Sequence, residues 1–235
     1  MATLNSGKVL EKCLRSIRNQ AYDQDKIEII VADGGSTDET VKIIKKYGGK
    51  IVPENTGSPE AAKALALKQA KNEIILEVDD DNILPHQNWL AEMVSFFEKE
   101  PKITGCYTWR YTYRQKDKIL NRYFALFGVN DPVALFLGKA DRQSYLTSKW
   151  NLAGKAQDKG KYFLVKFSKE NMPTLGANGF LIRRKLLMKA KVDKDHFFHI
   201  DVNWDLINQG YNPVSYTHLR AHETRHDLVC RLLLE

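Results

Sequence analysis

Three adjacent carboxylates follow a short apolar run in the first half of the chain. Residues 73–78 have the composition of a buried strand, and Asp79, Asp80 and Asp81 come directly after them. Because alternate side chains of an extended segment share a face, Asp79 and Asp81 can converge on one point. Two carboxylates at one point repel each other unless a cation lies between them, and Mg²⁺ or Mn²⁺ prefers such hard oxygen ligands. The pattern predicts a divalent-metal site, with a solvated acidic turn as the alternative.

A further acid ends the apolar run of residues 27–32. The segment DGGSTDET begins with Asp33, and Gly34 after it permits close approach of the backbone to a ligand. The carboxylate can accept hydrogen bonds from a ribose or from a base edge. A plain strand–turn–helix connection has the same pattern and stays open as the alternative.

The elements that must position these acids alternate over the first 100 residues. Apolar runs typical of buried strands cover residues 27–32, 50–53 and 73–78. Apolar residues at helical spacing predict helices over residues 8–20, 38–47, 58–70 and 87–99. This alternation predicts an α/β fold with a mostly parallel central sheet flanked by helices. Ligands of such sheets bind at the carboxyl ends of the strands, where Asn5, Asp33 and Asp79 would meet.

The second half of the chain lacks this regular alternation of strand and helix patterns. Residues 104–113 are aromatic and β-prone, and residues 180–182 read as a strand. Helices are expected over residues 184–190 and 202–209. Residues 120–137 are aromatic and mixed in pattern. Within them, residues 123–137 interleave aromatic side chains with leucines, which fits a lipid interface or, alternatively, a core or acceptor-pocket helix.

Composition and the pattern of apolar residues exclude several classes of protein. Of the 235 residues, 43% are hydrophobic and 28% charged, which excludes a mainly disordered chain. No run reaches the roughly 20 apolar residues of a membrane-spanning helix, and no secretory leader is visible. The three cysteines fit neither a disulfide framework nor a zinc site. We expect a cytoplasmic protein, with peripheral contact at the inner face of the membrane as an option.

The net charge of +7 favours anionic partners such as nucleotides or phospholipid headgroups. The lysines are spread through the chain instead of clustering with aromatic residues, so no nucleic-acid partner is expected.

Both ends of the chain have unusual sequence. Residues 214–235 match the translation of a library sequencing adapter in two fixed pieces, in order and in frame, so they are expected to be a non-native tail. Few residues separate Met1 from the first helix, so the first strand is expected to be clipped. The remainder, residues 1–213, is predicted to be one domain, with a nucleotide-binding half at 1–100 and an acceptor half at 101–213.

Together these segments resemble the family 2 glycosyltransferases, which have the GT-A fold, over residues 1 to about 212. The Thr-x-Asn part of the family's opening turn appears as Thr3-Leu4-Asn5, without the preceding proline. The strand-end acid that binds uridine matches Asp33, and the DxD signature matches residues 79–81. An Asn-x-Gly element appears at residues 55–57. The arginine-asparagine pair that usually follows is replaced by Lys63-Ala64, which keeps a positive charge and loses an amide.

The resemblance implies a role for each matched residue. The nucleotide-sugar would contact Thr3, Asn5, Asp33, Gly34, Lys63, Asp79 and Asp80. The divalent metal, Mg²⁺ or Mn²⁺, would be held by Asp81 and Asp79. The glycine-rich segment LGANGF would contribute Gly176, Asn178 and Gly179 to the acceptor side.

The catalytic base implied by the resemblance is Asp201, which stands before the last predicted helix. The family often has Glu-Asp at this point, and here Ile200 replaces the glutamate. Asp205, one helical turn later, is the alternative base. His196 and His199 are interpreted as surface or packing residues.

The activity that the resemblance implies is inverting transfer of a sugar from a nucleotide-diphosphate sugar, with a UDP-sugar expected as donor. The acceptor hydroxyl would belong to a cell-envelope polysaccharide or a lipid-linked saccharide. A sugar nucleotidyltransferase, a non-catalytic basic binding module and an inactive fragment are the alternatives. The nucleotidyltransferase should open with a basic glycine-rich loop, which the sequence does not contain.

Overall fold

The computed structural model describes residues 1–115, 117–129, 131–152, 155–176, 178–193 and 195–211, together with the backbone of 214–217. The helices are α1 Gly7–Arg18, α2 Thr40–Lys46, α3 Pro59–Gln69, α4 Trp89–Lys99, α5 Ile119–Phe127, α6 Pro132–Phe136, α7 Arg184–Leu187 and α8 His199–Asn208. The strands are β1 Ala2–Thr3, β2 Ile30–Asp33, β3 Lys50–Pro53, β4 Ile74–Glu77, β5 Gly105–Thr108, β6 Ala156–Asp158, β7 Tyr162–Val165, β8 Phe180–Arg183 and β9 Val214–Thr217.

The strands form two sheets, and the predicted α/β class is confirmed. The first sheet is parallel in the order β1-β2-β3, with Ala2 opposite Ala32 and Thr3 opposite Asp33. The second sheet is mixed, in the order β4-β8-β5-β9-β7-β6. The predicted parallel arrangement therefore holds for the first sheet, while β4 pairs antiparallel with β8.

Helices α1 and α3 show how the sequence builds the first layer. Apolar residues at helical spacing give α1 one buried face, formed by Val9, Leu10, Cys13, Leu14 and Ile17. The hydroxyl of Ser58 caps α3 by accepting a hydrogen bond from the Ala61 N–H (3.3 Å), and Pro59 occupies the first turn. Small side chains let α3 lie close to the sheet, because Ala62 and Ala66 pack against Ala32 of β2.

Two predicted boundaries near the site are wrong. The strand expected at residues 27–32 begins at Ile30, because a 3₁₀ turn at Gln24–Lys26 precedes it. Asp201 was expected to stand before a helix, but α8 begins at His199 and includes Asp201 in its first turn. The first turn contains Ile200, which packs against the core, so the apolar pattern of α8 begins before Val202, where the helix was predicted to begin.

The segment of the expected tail that the structure describes is β9, which lies between β5 and β7 and runs parallel to β5. This pairing places the backbone of residues 214–217 in the sheet and leaves their origin untested. Residues 218–235 lie outside the described residues.

The stretch at residues 123–137 overlaps two short helices, α5 and α6, of mixed exposure. Phe124 and Ala125 are buried, whereas Phe136 is 89% exposed. No helix in the described part of the chain has the length and apolar character needed to cross a bilayer.

Candidate functional site

The carboxylate of Asp33 organises the loop that follows β2. It is buried, and its Oδ2 accepts hydrogen bonds from the N–H groups of Gly35 (3.3 Å) and Ser36 (3.1 Å). Its Oδ1 accepts a hydrogen bond from the Ser36 hydroxyl (2.5 Å). Gly35 has φ +89°, a conformation that glycine adopts readily. Asp33 therefore shapes the backbone around the predicted nucleotide site.

The turn at residues 3–6 connects this loop to the three acids. The side chain of Asn5 accepts a hydrogen bond from the Thr37 N–H (2.9 Å). The Thr3 hydroxyl donates to Asp80 Oδ2 (2.7 Å), and the Ser6 hydroxyl donates to the same oxygen. These hydrogen bonds bring the turn, the Asp33 loop and the acids after β4 together, at the carboxyl ends of strands that belong to two different sheets.

The three acids have different partners. Asp79 Oδ1 lies 3.0 Å from the ammonium of Lys63. Asp80 Oδ2 accepts hydrogen bonds from the hydroxyl groups of Thr3 and Ser6. Asp81 is buried, and its Oδ1 accepts a hydrogen bond from the Asn82 side chain (3.1 Å). The three carboxylates therefore do not act as one cluster.

Lys63 joins α3 to the end of β4. Its ammonium lies 3.2 Å from Glu77 Oε1 as well as 3.0 Å from Asp79, and its side chain is 18% exposed. Burial lowers the pKa of Lys63, but the charges of Glu77 and Asp79 outweigh burial, so the pKa stays above its usual value. The lysine is charged throughout the physiological pH range and is held beside the carboxylates at the end of β4.

Glu77 is a site residue that the sequence analysis missed. Burial raises the pKa of Glu77 to about 7, although the charge of Lys63 opposes the rise. The available signal was its position in the strand: Glu77 precedes Asp79 by two residues and so shares its face. A glutamate within an apolar run has the pattern of a strand residue and by itself gives no signal of a site.

The start of α8 lies beside the same charges. The Phe197 N–H donates to the carbonyl of Glu60 in α3 (2.9 Å), which anchors the entry to α8. Burial, followed by the charge of Lys63, lowers the pKa of His199 to about 4. His199 is therefore neutral at pH 7 and lies beside the charge cluster formed by Lys63, Glu77 and Asp79.

The two candidate bases differ in their surroundings. Asp201 is exposed in the first turn of α8. The Oδ2 of Asp205 accepts hydrogen bonds from the Lys191 N–H (2.6 Å) and from the Gln209 side chain (2.7 Å). These contacts give Asp205 a local structural role.

The glycine-rich segment lies between β4 and α8. Gly176 has φ +119°, and a β-carbon there would lie 2.4 Å from Asn203 Nδ2. The Gly179 N–H donates to the carbonyl of Glu77 (2.8 Å). Asn178 is buried with φ +53°. The segment therefore contacts β4, the strand that ends just before the acids, and α8, the helix that includes Asp201.

Arg142 is a second residue that the sequence analysis missed. It is 1% exposed, and its guanidinium donates to Asp141 (2.7 Å), to Thr108 (3.2 Å) and to the carbonyl of Asn178 (3.3 Å). Its guanidinium carbon lies 3.2 Å from the centre of the Tyr107 ring. The hydrogen bond to the Asn178 carbonyl links Arg142 to the backbone of the glycine-rich segment. An Asp-Arg pair in a polar stretch gave no signal that it would be buried.

A metal site needs donor side chains that converge on one point. Within the described ranges, no group of three or more His, Cys, Asp or Glu side chains is placed to hold an ion. Mg²⁺ often takes one or two protein carboxylates and completes its coordination with substrate phosphates and water. Carboxylate oxygens such as those of Asp79 and Asp81 are the donor type that a shared site of this kind uses, but the described side chains do not form a complete protein cage.

Comparison with known proteins identifies the family. The family model "Glycosyl transferase family 2" matches residues 1–190. The chain belongs to glycosyl transferase family 2. The resemblance found in the sequence is confirmed at this level.

Two curated relatives illustrate the match. A poly(ribitol-phosphate) beta-glucosyltransferase of Bacillus spizizenii is 27% identical over 225 residues, which cover 89% of this chain and 33% of the relative. The poly(ribitol-phosphate) beta-N-acetylglucosaminyltransferase TarS of Staphylococcus aureus is 32% identical over 103 residues, which cover 41% of this chain and 18% of TarS. The chain therefore spans a third or less of the length of these relatives.

Solved structures show the GT-A fold. S. aureus TarS 1–349 in complex with UDP-GlcNAc has a TM-score of 0.60 at 18% identity, covering 92% of this chain and 54% of that one. The mannosyltransferase PcManGT of Pyrobaculum calidifontis, in complex with GDP-Man and Mn²⁺, has a TM-score of 0.57 at 17% identity, covering 94% and 56%. At these identities the likeness concerns the fold alone.

Proposed function

We propose that this family 2 domain is an inverting glycosyltransferase that transfers a sugar from a UDP-sugar to a hydroxyl acceptor. The observation that carries the proposal is the meeting of three elements at one edge: the Asp33 loop, the acids at residues 79–81 and the start of α8. A nucleotide site beside an exposed carboxylate is what direct sugar transfer requires. Family membership favours this function over the nucleotidyltransferase and the binding module.

The donor would lie across the turn at residues 3–6 and the loop after β2. Asp33 and Gly34 would shape the pocket for the base, with Thr3 and Asn5 holding the turn in place. Solved structures of the same fold bind UDP-GlcNAc or GDP-Man, which supports a nucleotide-sugar donor.

Positive charges from Lys63 and a divalent metal would bind and orient the diphosphate. Lys63 keeps its charge beside Asp79, and Asp79 would contribute to holding the ribose and the metal. Asp80 would act through the turn at residues 3–6 that it fixes. A divalent Mg²⁺ or Mn²⁺ held by Asp81 and Asp79 would supply positive charge to the leaving diphosphate.

The exposed carboxylate of Asp201 would accept the proton of the acceptor hydroxyl. The acceptor oxygen then forms a bond to the anomeric carbon while the bond to the diphosphate oxygen breaks. The nucleoside diphosphate leaves with the bonding electrons, and the configuration at the anomeric carbon inverts. Gly176, Asn178 and Gly179 would line the acceptor side, held by Arg142 and by the carbonyl of Glu77.

The acceptor is proposed to be a cell-envelope polysaccharide or a lipid-linked saccharide. Poly(ribitol-phosphate), which the names of two relatives mention, is the first acceptor to test. Work in the cytoplasm at the inner face of the membrane is part of the proposal. It is supported by the exposed apolar side chains of Ile119 and Phe136 in α5 and α6.

Replacing the proposed base tests the function. We expect Asp201→Asn to lower the rate of sugar transfer by about 10²–10⁴-fold, because proton transfer contributes that much, and to leave UDP binding unchanged. Asp205→Asn is the matched control on the same helix and should keep transfer within a few-fold of wild type. Transfer is measured with radiolabelled UDP-GlcNAc and UDP-glucose. Near wild-type transfer by Asp201→Asn would refute the role of Asp201.

A further inference from the structure

His199 begins α8 at the junction of two parts of the site. On one side, the Phe197 N–H donates to the carbonyl of Glu60 in α3 (2.9 Å), about one turn before Lys63 on the same helix. On the other side, a β-carbon at Gly176 would lie 3.0 Å from the β-carbon of His199, so the glycine-rich segment packs directly against this side chain. His199 therefore lies between the residues proposed to bind the diphosphate and those proposed to line the acceptor side.

The backbone at the start of α8 is held in place by Asn203. This side chain is 4% exposed, and its amide donates to the carbonyls of Leu175 (3.3 Å) and His199 (2.8 Å). One buried amide thus joins the helix to the glycine-rich segment, and Gly176, at φ +119°, leaves no room for a larger side chain. Selection of a ligand by hydrogen bonding needs a binding group with a fixed position, and these contacts fix the backbone that carries the imidazole.

The imidazole of His199 is neutral and has hydrogen-bonding groups available for a ligand. Burial, followed by the charge of Lys63, lowers its pKa to about 4, and a neutral imidazole has one N–H donor and one acceptor nitrogen. Among the described residues, neither ring nitrogen of His199 takes part in a hydrogen bond, whereas Nδ1 of His196 lies 3.0 Å from Asp193 Oδ2. Burial of a polar ring is favourable only when its nitrogens are hydrogen-bonded, so this half-buried position favours a polar ligand group.

The chemistry of transfer indicates which group would occupy this position. In the proposed reaction, on which this inference rests, the anomeric carbon must lie between the leaving diphosphate and the acceptor oxygen. The transferred sugar would therefore lie between Lys63 and the glycine-rich segment, where His199 is. A sugar ring carries neutral hydroxyl groups that donate and accept hydrogen bonds, which a neutral imidazole complements. The negative charge of the diphosphate is matched instead by the ammonium of Lys63.

We propose that His199 determines the choice of donor sugar by hydrogen-bonding one polar substituent, a hydroxyl or an acetamide, of the transferred hexose ring. A sugar that lacks this substituent leaves the imidazole without a partner in the occupied site, which weakens binding. Asn203 and Gly176 act as positioning residues, because they hold the backbone of His199 against the glycine-rich segment.

Calorimetric binding of UDP and of UDP-sugars in the presence of Mn²⁺ tests this assignment without requiring an acceptor. The tighter-binding of UDP-glucose and UDP-GlcNAc is taken as the parent, and four analogues each lack its polar substituent at carbon 2, 3, 4 or 6. We expect one analogue to bind the wild-type chain about 5–10-fold more weakly than the parent, as the loss of one hydrogen bond predicts. His199→Phe should bind the parent about 5–10-fold more weakly and should no longer distinguish it from that analogue.

Two controls separate a sugar contact from other effects. UDP has no sugar to be transferred, so its dissociation constant should stay within about twofold in His199→Phe. His196→Phe is the matched substitution of a histidine whose side chain is 57% exposed, and it should leave every affinity within about twofold. A UDP affinity that falls in His199→Phe as far as the affinity for the parent sugar would overturn the proposal, since the imidazole would then bind the diphosphate.

The discrimination among the analogues decides the remaining outcomes. His199→Phe that still distinguishes the same analogue by the wild-type factor would overturn the proposal. His199→Ala adds no bulk and repeats the test if the phenylalanine disturbs folding, as judged by thermal unfolding. It should lose the same discrimination, and retained discrimination would again overturn the proposal. A folded wild-type chain that binds UDP but no UDP-sugar would contradict the sugar contact alone, whereas one that binds neither would refute the proposed function and this inference with it.

Discussion

Replacing Lys63 by methionine tests the charge cluster at the proposed diphosphate position. The Lys63 ammonium lies 3.2 Å from Glu77 Oε1, and the two side chains are 18% and 10% exposed. The substitution leaves the Glu77 carboxylate buried without its ion-pair partner. Removing one member of a buried pair costs about 3–5 kcal/mol of unfolding free energy.

This cost depends on pH because Glu77 titrates near neutrality. Its pKa is about 7 in the folded protein against 4.5 as the ordinary value. A carboxyl group whose folded pKa is raised contributes stability that is present below about pH 4.5 and is lost as the pH rises through about 7. Without Lys63 the pKa of Glu77 rises further, so at pH 5.5 the group is neutral and only the pair with the more exposed Asp79 is lost. We therefore expect Lys63→Met to cost about 3–5 kcal/mol at pH 8.5 and about 1 kcal/mol at pH 5.5.

Urea unfolding at 25 °C at the two pH values measures this difference. Glu77→Gln provides the matched second variant, because it removes the charge and keeps the shape. The double variant Lys63→Met/Glu77→Gln should recover most of the loss seen at pH 8.5. An equal loss from Lys63→Met at both pH values, or no recovery in the double variant, would refute the coupling between Lys63 and Glu77.

Two further substitutions test the glycine-rich segment and its support. Gly176→Ala should lower the free energy of unfolding by about 3 kcal/mol, because its β-carbon would lie 2.4 Å from Asn203 Nδ2 at φ +119°. The control Gly210→Ala, at φ +86° with nothing within 4 Å, should cost about 1 kcal/mol, and equal costs in urea would contradict the steric argument. Arg142→Met should cost about 3–5 kcal/mol at pH 7 by leaving the buried Asp141 without its cation, and adding Asp141→Asn should recover part of this. Thermal unfolding of the three chains measures the effect, and an absence of recovery would show that the ion pair does not account for the loss.

The features that sequence predicted well are local ones. Strand periodicity followed by an acid located Asp33 and the acids at residues 79–81, since a strand end and its turn lie within a few residues of each other. The antiparallel pairing of β4 with β8 was not predictable in this way. It brings Glu77 opposite Phe180, about 100 residues away, and no local pattern encodes that contact.

The parts of the site that sequence missed depend on contacts between distant elements. Lys63 was assigned a phosphate role by resemblance, but its pairing with Glu77 arises only when α3 packs beside β4. The interpretation of His199 as a surface or packing residue misses its proximity to Lys63, because that proximity arises only when α8 docks. Arg142 lies in a polar stretch whose composition favours the surface, and tertiary burial overrode that preference.

The central claim, a nucleotide-sugar site at the edge formed by β1, β2 and β4, is tested most directly by calorimetric titration of UDP with and without Mn²⁺. The account predicts UDP binding in the presence of Mn²⁺, its loss in Asp81→Ala, and its retention in the control Asp25→Ala, where an exposed acid outside the site is removed. A folded chain that binds no UDP with or without Mn²⁺, or UDP binding that Asp81→Ala leaves unchanged, would contradict it.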